Sequence, residues 1–166
     1  RTMMRDDLRV QTSRSGHKLQ DDAEPFLRIL RKIRDQYQGK AISTQEFLRA
    51  FAQELPPALR YEGRNSLDWF YDAWVNGTAV PKLELSSVKY NPKSSTTTTV
   101  SGSIVQKSAP KDLVTSVPIF AVLQNRNVFL GRVFAEGPET PFHLSAPAGT
   151  RKVVVDPEQS VLSRAH

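Results

Sequence analysis

The chain contains no cysteine. Disulfides and thiolate metal sites are therefore excluded, and redox chemistry leaves no clue to its compartment. Histidine is almost as scarce: His17 in a loop-like stretch, His143 in a strand-like stretch, and His166 at the last position. None has a second histidine four residues away and no H-E-x-x-H is present, so zinc ligation by these three is not expected. No apolar run approaches the length of a membrane span. The nucleophile elbow G-x-S-x-G and a Gly-rich phosphate loop are both missing. So is a signal-peptide pattern, which leaves the localisation unassigned.

Charge of one sign is not concentrated either. Twenty-three basic against 17 acidic residues give a net +6, but the basic residues are scattered and not drawn into a stripe. A solvated surface is the expected reading, and no nucleic-acid partner. Basic and aromatic residues interleave only sparsely, around Tyr61 and Phe129. The carboxylate pairs Asp6–Asp7 and Asp21–Asp22 sit near expected helix ends, where they complement the dipole. Asp68 and Asp72 are four apart and could share a helix face, yet two like charges make no acid–base dyad without a raised pKa. The residues alone thus nominate no catalytic, cofactor-binding or metal-ligating side chain.

Hydrophobic residues make up 39% of the 166, enough for one ordinary domain or two small ones. The rhythm changes near Pro81. Before it, apolar residues recur at helical spacing; after it, short β-branched runs alternate with turn chemistry. "RTMMRDDLR" reads as the tail of a helix, with Met4 and Leu8 four apart, and residues 10–21 read as a loop. A helix is expected over about 22–38, with Phe26, Leu30, Ile33 and Tyr37 on one face and Gly39 as its stop. Ser43 and Glu46 have capping-box spacing. Phe47, Leu48, Phe51 and Leu55 come next on one side, before Pro56–Pro57. A third helix, capped by Ser66 and closed by Gly77 and Pro81, carries the stripe Leu67, Phe70, Tyr71 and Trp74, with Trp69 and Ala73 on another side. A helix apolar on two sides is expected to be buried on two sides, as a clamp between the other helices and the β part.

Strands are expected near 82–90, 97–106, 116–123, 127–134, 140–145 and 151–155, with turns at "NPKS" and "QNRN". "STTTTV" is retained as strand, because threonine is a good strand residue and alternating hydroxyls suit an exposed strand face. The fold class expected is therefore α+β: a small helical segment over residues 1–80, then an antiparallel β-sandwich over 81–166.

With these elements in place, a family resemblance emerges. "FLRILRKIRDQYQGKAISTQEF" and "LDWFYDAWVNGTAVPKLEL" resemble the end of the catalytic region of zinc aminopeptidases of the aminopeptidase-N and leukotriene-hydrolase type. The residues concerned are Phe26, Tyr37, Lys40, Ser43, Thr44, Phe47, Trp74, Gly77 and Pro81, with Ala79 departing from a common glycine. Val100-x-Gly102-x-Ile104-x-Gln106, Pro118 and Val155–Asp156–Pro157 are similar to the sandwich that succeeds the helices in that family. The resemblance implies the last helices of a thermolysin-like catalytic domain and an Ig-like sandwich. It further implies a parent that removes N-terminal residues from peptides with a zinc-bound water and a glutamate base.

The family's zinc ligands, its Gly-x-Met-x-Asn motif and its transition-state tyrosine have no counterpart here. The zinc cofactor is thus expected in the rest of the parent, and the chain as a non-catalytic C-terminal fragment. Its partners would be the upstream catalytic domain and, for the parent, a peptide substrate. Met3, Met4 and Leu8 would then be exposed, disordered or covered by a second copy, the last a route to self-association. Two other functions fit the same residues: the scaffold region of a catalytically dead relative, and a protein- or glycan-binding sandwich module.

Overall fold

The computed structural model describes residues 25–124 and 126–164. The expectations for the first helix tail, the loop at 10–21, the paired aspartates before Pro25, His17 and His166 lie outside the described residues. The chain divides into two compact units, between Asn76 and Gly77.

The first unit is helical. α1 is described from Pro25 to Tyr37. Ile29 and Ile33 are buried, while Phe26, Leu30 and Tyr37 pack around them. Ile29 completes the predicted face, since it lies three residues after Phe26. Arg28 and Lys32 rise from the opposite side and both bind Glu54, the former at 3.1 Å. Gly39, at φ +73°, provides the left-handed turn that ends the element.

α2 runs from Thr44 to Ala52 behind the N-cap Ser43. Both halves of the predicted capping box form. The Glu46 N–H donates to Ser43 Oγ at 3.2 Å, and the Ser43 N–H donates to Glu46 Oε2 at 2.9 Å. The Ser43 hydroxyl also donates to Glu46 Oε2 at 2.6 Å, and this bond first, the Ser43 N–H bond second, holds the Glu46 carboxyl below its ordinary pKa. Phe51 is the hub of the unit, with ring centroids 5.2 Å from Phe26 and 5.0 Å from Phe47. The helix stops before Pro56–Pro57, so Leu55 is buried from the turn beyond it.

The aromatic segment differs from its expectation. α3 is a single turn, Asp68–Phe70, continued by a π turn over Tyr71–Val75. The Asn76 N–H reaches back five residues to the Tyr71 carbonyl at 3.0 Å. A stripe spaced for 3.6 residues per turn is not kept through a wider turn, and Leu67, Phe70, Tyr71 and Trp74 are each half-buried. Leu67, not Ser66, occupies the cap position. The Ser66 hydroxyl instead accepts the Asp68 N–H at 3.0 Å, a local turn one step earlier.

The second unit consists of two antiparallel three-stranded sheets, ordered β1-β2-β5 and β4-β3-β6. The strands are β1 Lys82–Pro92, β2 Thr97–Lys107, β3 Val114–Leu123, β4 Arg126–Glu136, β5 Glu139–Pro147 and β6 Val153–Val155. All six predicted strands are present. Leu83, Val100, Ile104 and Phe142 of the first sheet share one core with Val117, Ile119, Ala135 and Val153 of the second. Two sheets sharing one core form a sandwich-like layer pair.

The threonine run is strand, as predicted, but Thr98 faces inward and is buried. Gly102 is an inward position where a side chain would be crowded. A Cβ there would lie 3.0 Å from the Ser86 carbonyl and 3.1 Å from the Phe142 ring. The register of β1 against β2 shifts at this level, between Ser86 and Lys89, where Ser87 has φ +53°. Pro118 lies within β3. Lacking an N–H, it contributes its carbonyl, which accepts the Asp156 N–H at 3.0 Å.

Candidate functional site

His143 is exposed on β5, in register with Ser101 of β2. Asp68 and Asp72 are both exposed, one in α3 and the other in the π turn. The change of helical pitch between them means that a four-residue spacing does not stack them as it would in an α-helix. Among the described residues no group of three or more His, Asp or Glu side chains could hold a metal ion. The described residues therefore supply no zinc ligand set, and the resemblance places those ligands elsewhere in the parent. No described helix is long and apolar enough to cross a membrane. Tyr61 and Phe129, the aromatics considered for base stacking, each lie against a ring of their own unit: Trp69 at 6.4 Å and Phe120 at 5.3 Å.

Two hollows stand out. The first, about 350 Å³, lies in the helical unit. Gln45, Leu48, Arg49 and Ala52 form one wall. Their i, i+3, i+4, i+7 spacing puts them on a single face of α2. Asn65, Ser66, Leu67, Asp68 and Tyr71 form the other wall. Sequence reading missed this site because its two walls are separate segments, and Leu48, Leu67 and Tyr71 each read alone as part of an apolar helix face.

The second hollow, about 730 Å³, lies in the sandwich, between Leu83, the end of β6 and the stretch 157–164. Asp156 shapes it. Its buried carboxylate accepts the Ser160 N–H at 2.9 Å, the Ser160 hydroxyl at 2.6 Å and the Val161 N–H at 2.7 Å. Three donors on one carboxylate fix the loop and identify Asp156 as a structural residue.

Two further polar groups organise the sandwich. Gln106, 6% exposed, donates its amide to the carbonyls of Leu113, Ala135 and Gly137 at 3.1, 3.2 and 3.0 Å. Glu84 is clamped by Lys107 at 2.6 Å and Lys82 at 2.9 Å. Hydrogen bonds from these lysines, Lys107 first, lower its pKa to about 2. Neither arrangement lines either of these two hollows. No protein-family profile, curated protein or solved structure matches the chain.

Proposed function

We propose that this chain is a non-catalytic part of a zinc-dependent aminopeptidase, where it helps enclose the active site and orient the domains around it. On this reading the helical unit is the end of a thermolysin-like catalytic domain and the sandwich is Ig-like. The observation that carries the proposal is one of order along the chain. A Ser/Thr-capped helix with an early phenylalanine, Ser43 to Phe47, precedes Trp74, Gly77 and Pro81, and a β-sandwich begins at once. Supporting it, Ser43 and Glu46 close the capping box at the helix start that the pattern requires, and Pro81 is buried at the entry to β1.

The zinc belongs, in this proposal, to residues outside this chain, since the described residues offer no ligand set. The test is to express the complete reading frame that encodes the chain, beside the chain alone. The complete protein is expected to hold stoichiometric zinc and to release aminoacyl-coumarin fluorescence that a chelator abolishes. The chain alone is expected to do neither. A complete protein without zinc and without hydrolysis replaces this reading with that of a scaffold.

A further inference from the structure

We infer that the hollow between α2 and the Asn65–Tyr71 segment is a binding site for a small zwitterion, of the free α-amino acid class. Arg49 and Asp68 line the same hollow from opposite walls. Among the described residues no ion pair joins them. A guanidinium is a preferred partner for a carboxylate and an aspartate for an ammonium. A ligand whose charge is of one sign only, such as a phosphate or a polyamine, would leave one wall unmatched. An α-amino acid matches both.

Size narrows the class further. About 350 Å³ is near the lower end of ligand sites, which run from about 300 to 1,000 Å³. That admits a single amino acid with its side chain and excludes a folded partner. The remaining lining suits the same ligand. Leu48, Ala52 and Leu67 provide apolar surface for a side chain. Gln45, Asn65 and the Tyr71 phenol provide neutral donors and acceptors for a carboxylate or ammonium group already held by charge. Arg49 and Asp68 are exposed, so their attraction is screened and the affinity is modest, about millimolar.

This inference stands apart from the peptidase proposal. It needs only the helical unit, and it survives if the complete protein proves to be a scaffold.

The test is an NMR titration of the full 166-residue chain, at about pH 6.5, where an α-amino group is protonated. Three probes are compared: L-leucine, N-acetyl-L-leucine without the ammonium, and L-leucinamide without the carboxylate. L-leucine is expected to give saturable shifts at the amides of Gln45, Asn65 and Asp68. Each of the other probes should bind about tenfold more weakly. Arg49→Gln should weaken L-leucine about tenfold and leave leucinamide unchanged, while Asp68→Asn should do the same relative to N-acetyl-leucine. Shifts that do not saturate, that are alike for all three probes, or that fall away from the hollow overturn the inference. Should either variant fail to fold, the three-probe comparison on the parent chain decides alone.

Discussion

Replacing Gln106 by leucine removes one amide from the interior, yet it should unsettle the end of the whole sandwich. The Gln106 side chain starts on β2 and bonds carbonyls before β3, at the end of β4 and in the turn leading to β5. An amide nitrogen has two hydrogens, so the three contacts share them. Each net bond contributes about 0.5–1.5 kcal/mol, and a buried carbonyl left without its donor costs about 1–3 kcal/mol. Against this, leucine removes the buried Gln106 Oε1, which has no partner among the described residues. The balance is a loss of about 2–4 kcal/mol. For a unit of this size that lowers the melting temperature by about 10–20 °C, read from the β signal in circular dichroism.

Gln106→Glu sharpens the test. Its carboxylate would face three carbonyl oxygens, so its folded pKa must rise above the unfolded value of about 4.3. The variant is then closest to the parent below that pH, and its deficit grows as pH rises through the raised pKa. A leucine variant melting within about 2 °C of the parent, or a glutamate variant whose deficit is flat with pH, would refute the reasoning.

Other outcomes are as definite. Ser43→Ala should destabilise the helical unit by about 0.5–2 kcal/mol in urea denaturation, and Ser43→Asp by much less, since aspartate caps equally well. Gly102→Ala should lower stability of the sandwich by about 1–3 kcal/mol, because the neighbouring Ser86 carbonyl is backbone and cannot swing aside. Glu84 should titrate near 2 by carboxyl carbon shift at low salt, moving upward as salt is added. Its depressed pKa means that whatever stability the lysine clamp contributes is present above the ordinary carboxylate range and is lost as pH falls toward about 2.

Much of the fold was legible because alternation and capping are local. The six strands arise from runs such as Val114–Leu123, and Ser43 with Glu46 announces the start of α2. The π turn was not legible: Leu67, Phe70, Tyr71 and Trp74 have α-helical spacing, and no residue type marks where five-residue hydrogen bonding takes over. The use of Pro118 was not legible either: within β3 it has no N–H to donate, and its carbonyl takes the Asp156 N–H from a remote segment. Gln106 was visible as a polar residue in an inward series with Val100 and Ile104, yet its three acceptors come from remote turns. The zwitterion hollow shows the same limit, since Arg49 and Asp68 come to line one hollow only through tertiary packing.

One bond between the sheets bears on how the sandwich behaves in a crowded solution. β1 and β6 are both edge strands, each in a different sheet. The Tyr90 hydroxyl on β1 accepts the Val153 N–H of β6 at 3.1 Å. An open strand edge invites pairing with another molecule, and its free N–H groups are the means of recruitment. Here a phenol from the opposite layer occupies one of those donors and draws the two borders together. Removing that oxygen alone, as Tyr90→Phe, keeps the ring and reopens the donor, so a protein that folds as before should acquire a tendency to form β-rich aggregates on concentration.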